Sequence, residues 1–260
     1  MAEYFRGRGN VKIAPRLSSG LPGAFFDVGN VSLLSVGFEE EVVDHNETSS
    51  GNDLQDLRLF GAAKGNVNLT LEEHTTKNLL AFFRSATATI GNTSYASSNY
   101  NTATGITFAV GDFWQLTGRN ISGVVIKDSA GSAATLVLGT DYAIADAKRG
   151  LIKILNLGAY TQPFRAQYAA GGAKAYTLLS EDAKEYYLSF AGKNTARSPF
   201  LDCSVELYRA SFNLPATLEL LSRETNVGQM ELVGALLRDA DKEADSTFGP
   251  FGRYIPDLDA

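Results

Sequence analysis

The residues of this chain whose types and spacing could do chemistry are Glu39, Glu40, Glu41, Asp44 and His45. Paired carboxylates hydrolyse glycosides when one is held protonated and the other ionised. Neighbours on a strand point to opposite faces, which puts Glu40 and Asp44 on the side of Leu34 and Phe38 and turns Glu39 and Glu41 away. The residues therefore read as a solvated strand end entering an acidic loop. His45 and His74 are the only two histidines, and Cys203 is the only cysteine. One chain can thus form no internal disulfide and no His-rich or multi-cysteine metal site. Cys203 alternates with Val205 and Leu207, as a small buried apolar residue would. The charged run at 241–245 lacks the spaced ligands and central glycine of a calcium loop. No phosphate-binding loop, zinc-protease helix or nucleophile elbow occurs, and Gly7-Arg8-Gly9 lacks the third glycine and preceding strand of a dinucleotide site. Neither a catalytic residue nor a cofactor is expected.

The elements around these residues read as β structure. Hydrophobic residues make 44% of the 260 and charged residues 20%, with 25 Gly, 11 Tyr and 15 Phe, a balance that favours a turn-rich β protein over a helical bundle or a disordered chain. Leu34, Val36, Phe38 and Val42 fall on one face of a first strand, and Val67, Leu69 and Leu71 on one face of a second, so each covers a core. Between the two lie seven acids, Glu39, Glu40, Glu41, Asp44, Glu47, Asp53 and Asp56, before Arg58 appears. Thr75 or Thr76 caps a short helix with a stripe of Leu79, Phe82 and Phe83.

Residues 1–22 read as an arm, because glycines and prolines interrupt them and only Val11 and Ile13 offer an apolar pair. From 85 to 104 the composition turns to Ser, Thr, Ala and Asn, a linker. Further strands are expected at 106–110, 124–126, 136–138, 142–144 and 152–154, the last two joined by a turn ending in Gly150. Gly171-Gly172 marks an exit. Strands resume at 186–190, 203–208 and 217–221. Residues 229–237 fit a strand through Met230, Leu232 and Leu236 but also a helix through Met230, Val233 and Leu237; Gly228 and Gly234 favour the strand. Residues 239–260 read as a surface tail.

Several of these segments together resemble the major tail tube proteins of long-tailed bacteriophages. They are 23–30 (Gly-Ala-Phe-Phe-Asp-Val-Gly-Asn), 41–51 (Glu-Val-Val-Asp-His-Asn-Glu-Thr-Ser-Ser-Gly), 71–79 (Leu-Glu-Glu-His-Thr-Thr-Lys-Asn-Leu), 188–194 (Leu-Ser-Phe-Ala-Gly-Lys-Asn) and 205–209 (Val-Glu-Leu-Tyr-Arg). The likeness covers most of the chain outside roughly 86–172, and that segment resembles small β modules of phage structural proteins. The fold implied is mainly β: a tail-tube-type sandwich or barrel in two parts, 23–85 and 173–260, with one short flanking helix and an inserted Ig-like β domain at 86–172.

The resemblance further implies a non-enzymatic virion protein, made in the host cytoplasm. Its copies form hexameric rings stacked into a tube, with tape-measure, tail-terminator and baseplate or tip proteins as partners and DNA only in transit. The loop at 44–60 would join stacked rings, with Asp44 and His45 at its start. Arg58 and Arg6 or Arg8 would be counter-charges to Glu47, Asp53 or Asp56 of a neighbouring subunit. The formal charge of −6 and a pI near 5.0 argue against a surface built to grip nucleic acid, and suit a lumen from which phosphates are repelled. Residues 101–172 carry six bases against four acids, +2, which leaves −8 on the remainder. Other readings are the inner tube of a contractile tail, a carbohydrate-binding or adhesive β module using Trp114 and the tyrosines, and a hydrolase of cell-wall glycan. No membrane association is expected.

Overall fold

A computed structural model describes residues 4–49, 51–95, 106–196, 198–217, 228–256 and 258. The elements in chain order are β1 (Gly7–Pro15), β2 (Phe26–Asp27), β3 (Val31–Asn46), β4 (Gln55–Leu71), α1 (Thr76–Phe82), β5 (Ala86–Ile90), β6 (Ser94–Tyr95), β7 (Phe113–Gln115) and β8 (Ile121–Lys127). They continue with β9 (Tyr142–Asp146), β10 (Leu151–Ile154), β11 (Arg165–Ala170), β12 (Ala173–Thr177), β13 (Glu185–Asn194), β14 (Leu201–Phe212), β15 (Met230–Leu236), α2 (Ala240–Glu243) and β16 (Gly252–Ile255). The protein is mainly β, and it divides into two units, one of residues 1–86 and 178–260, the other of residues 87–177.

In the first unit an antiparallel sheet runs in the order β2-β1-β13-β14-β15-β4-β3, with β16 added on β14. The expected alternation holds on β4, where Val67, Leu69 and Leu71 are buried, and on β15, where Met230, Leu232 and Leu236 are buried while Glu231 and Val233 face out. These side chains meet Val11, Ile13 and Leu188 in one core, and Leu34 of β3 packs on its margin. Because β1 and β3 lie near opposite ends of the sheet, the sheet must curl to bring Val11 and Leu34 into the same core. Helix α1 covers part of it. Thr75 caps the helix by accepting a hydrogen bond from Asn78 N at 3.2 Å, and Phe82 packs edge-on against Phe212 with ring centroids 5.4 Å apart.

Residues 7–15, expected within an arm, are instead the strand β1, with Val11, Ile13 and Ala14 buried. Their order comes from nine residues paired in register with β13 rather than from their own composition. The tail beyond 239 is also more than surface. Asp239 is buried against Arg16 at 3.1 Å, Phe248 covers Tyr208 on the outer side of the sheet, and β16 pairs with β14. The strand expected at 217–221 lies, from 218 on, outside the described residues, as do residues 96–104 of the expected linker.

The second unit has two three-stranded antiparallel sheets, β7-β10-β9 and β6-β11-β8, around a core that includes Ile126, Tyr142, Ile152, Ile154 and Phe164. A ribbon of β5 and β12 completes it, so residues 86–90 form a strand where a linker was expected. The β9–β10 hairpin is as predicted, with Gly150 at φ +71° in its turn. The apolar runs at 106–110 and 136–138 are not strands. Side chains take three of their amides: Phe108 N donates to Gln162 Oε1, Ala109 N to Asp112 Oδ2 and Val137 N to Asp141 Oδ2, while Leu136 N donates to the backbone oxygen of Ile126. The backbone hydrogen bond from Val137 to Asp141, with further ones from Tyr160 and Asn156, holds its carboxyl below the usual aspartate range. Trp114 is half-buried, 5.2 Å from the Phe108 ring and packed on the core.

Candidate functional site

The expected acidic loop is a long β-hairpin. β3 and β4 span 16 and 17 residues and pair from Val31↔Leu71 out to Asn46↔Gln55. Near the sheet the pair is ordinary: Leu34 faces Leu69 and Val36 faces Val67. Beyond Gly65 it leaves the core. No described residue between 37 and 64 is buried, which makes a projection of about 30 Å at the usual rise per strand residue. Phe38, expected on the core face, is 63% exposed for this reason. Irregularities after Glu40 and His45 put two residues of β4 opposite one of β3, the local defect that twists and bends a strand.

The hairpin exposes apolar side chains on both faces. Val42 faces Phe60 on one side, Val43 faces Leu59 on the other, and Phe60 and Leu59 are more than half exposed. A strand of this length with an unpaired outer edge is a template for another chain. Among the described residues β3 pairs with β4 alone, so its outer edge is free along all 16 residues.

Four of the predicted residues come together on this hairpin. Asp44 Oδ1 accepts from Gln55 Nε2 at 2.6 Å and lies 3.7 Å from Arg58 Nε, while His45 Nδ1 is 2.7 Å from Asp56 Oδ1. Arg58 also sits over the Phe60 ring at 5.7 Å. All are exposed, so the pairs are worth little each, about 0–1 kcal/mol. Glu47 accepts from the amide and hydroxyl of Ser49, and Asp53 occupies the turn at φ +49°. The structure thus gives Arg58 an acidic partner within its own chain.

Arg6, just before β1, and Arg8, within it, lie apart from the hairpin with exposed side chains. Glu39, Glu40, Glu41 and Asp44 are all exposed too and offer no sheltered carboxyl of the kind glycoside hydrolysis uses.

Two features escaped the sequence reading. One is the apolar exposure of the hairpin, for which the alternation of Leu57, Leu59 and Val43 with polar residues was a usable signal. The other is a groove of about 650 Å³ between the two ends of the curled sheet, lined by Gly7, Arg8 and Gly9 on the β1 side and by Ser32, Leu33 and Val36 on the β3 side. Cys203 is fully buried, and burial pushes its thiol pKa up, away from reactivity.

These features define a mainly β protein of two units, one of which extends an exposed, apolar, acid-rich hairpin with an open edge. The chain matches over residues 4–255 the family described as "Protein of unknown function UCP028589", and it belongs to that family. No curated protein matches it.

Proposed function

We propose that the chain is a structural subunit that polymerises. Identical copies join head to tail into rings, and the rings stack into a tube like that of the long-tailed phages its sequence resembles. The observation that carries this reading is the β3–β4 hairpin, which extends a free strand edge and apolar side chains on both faces into solvent. An isolated subunit gains nothing from such an element and risks aggregation by it, whereas a ring covers it. Head-to-tail contacts use two different surfaces per copy, so they close into rings without a two-fold axis. The −8 on the part of the chain outside 101–172 supports a tube through which DNA slides without sticking.

In this reading the protein has no enzymatic role and belongs to the virion. Its partners are further copies of itself and the proteins that start, measure and close the tube. Light scattering of the pure full chain over a concentration series tests it: mass should rise to large, discrete assemblies. Scattering fixed at the mass of one chain at every concentration would count against it.

A further inference from the structure

Resting on the subunit reading above, we infer that the groove between β1 and β3 receives the β3–β4 hairpin of a second copy, held by Arg6, Arg8 and Lys12 against Glu40, Glu41 and Asp53. The groove separates two unsatisfied strand edges. β13 covers one side of β1 along its whole length, but β2 covers the other side only at Lys12 and Ile13. Among the described residues, the outer edge of β1 from Gly7 to Asn10 therefore has no strand beside it, and neither does the facing edge of β3. An added strand in that position satisfies backbone groups on both sides and finishes the closure that the curl of the sheet begins.

Charge selects the occupant. Arg8 stands directly opposite Lys193 in the β1–β13 register, a like-charge pairing that destabilises the isolated sheet. Lys193 turns to Asp202 at 2.9 Å. Arg6, Arg8 and Lys12 are exposed and among the described residues none of them forms an ion pair, although Lys12 stands opposite Asp27 in the β1–β2 register. The hairpin is the complement. Asp44 and Asp56 are taken up by Arg58, Gln55 and His45, but Glu40, Glu41 and Asp53 are exposed and have no cationic partner among the described residues.

The apolar parts match in the same way. Leu33, Val36, Phe5 and Tyr254 line the groove at 50%, 36%, 57% and 51% exposure, and Val42, Val43, Leu59 and Phe60 are available on the hairpin to cover them. Since groove and hairpin lie on different parts of one subunit surface, the contact repeats from copy to copy.

Two charge-reversed variants test this, Arg6→Glu/Arg8→Glu and Glu40→Arg/Glu41→Arg, each in the full chain. The four residues are exposed, so the far-UV spectrum of both variants should match the parent and neither should melt below it; Arg8→Glu also relieves the like-charge pairing with Lys193. Where the parent assembles, each variant alone should need at least about a tenfold higher concentration to do so. An equimolar mixture should recover the parent's behaviour, because each reversed groove then meets a reversed hairpin. Variants that assemble like the parent, or a mixture that stays as defective as its components, would overturn the pairing and leave the subunit reading standing. A parent that never assembles would overturn both.

Discussion

Replacing residues 41–62 by Asn-Gly joins Glu40 to Ala63, which already face each other across the β3–β4 pair, through the kind of short turn that hairpins favour. The excision removes the projection and leaves every buried residue of the first unit in place, since no described residue in it is buried and only Val42 and Glu47 are half-buried. Full burial of a valine is worth about 1.5–3 kcal/mol, so losing a half-buried one costs about 1 kcal/mol. The shortened chain should therefore unfold within about 1 kcal/mol of the parent in denaturant, with nearly the same m-value, because m follows the surface exposed on unfolding.

As a scale, Leu69→Ala in the core of the same strand should cost about 2–5 kcal/mol. Trp114, the single tryptophan, lies in the second unit and gives an internal control: its fluorescence should be unchanged, while circular dichroism follows the first unit. The shortened chain should fold and fail to assemble. A loss above about 3 kcal/mol would show that the hairpin stabilises the subunit itself, and normal assembly would show that copies meet through another surface.

Gly9 should tolerate no side chain. A Cβ there would stand 2.2 Å from the carbonyl oxygen of Ala191 and 2.4 Å from the Gly192 Cα, so Gly9→Val should cost about 1–3 kcal/mol in thermal unfolding, and an unchanged melt would refute the close approach of β1 to β13. Burial raises the phenol pKa of Tyr186 and Tyr208 from 10.0 to about 12, and that of Tyr187 further. A phenol pKa raised in the folded state contributes stability below pH 10.0 that is lost as pH climbs towards 12. A phenolate absorbance titration of the native protein should leave these three of the 11 tyrosines un-ionised until the fold gives way, and ordinary titration of all 11 would contradict their burial.

The elements that sequence made legible are those whose own residues bury a face. Val67, Leu69 and Leu71 alternate into the core, the Thr75 cap starts α1 ahead of Phe82, and Met230, Leu232 and Leu236 decide between strand and helix at 229–237. Illegible elements owe their order to partners distant in sequence. β1 begins Gly-Arg-Gly and reads as an arm, yet β13, well over 150 residues away, pairs with all nine of its residues.

Distance in sequence also hid the groove, because Gly7 and Val36 come to face one cavity only when the sheet curls. The hairpin misled for the opposite reason. Its seven acids and lack of burial have the composition of a loop, while its strand character comes from cross-strand pairs such as Val43 with Leu59. At 106–110 and 136–138 the apolar pattern was real, but side-chain acceptors capture the amides of Phe108 and Val137 that a strand would have used.

Negative-stain electron microscopy of the pure full-length chain at high concentration tests polymerisation most directly. Hollow tubes or closed rings of uniform width are the predicted result. A field of single particles the size of one chain, unchanged across concentration and salt with the hairpin intact, would contradict it.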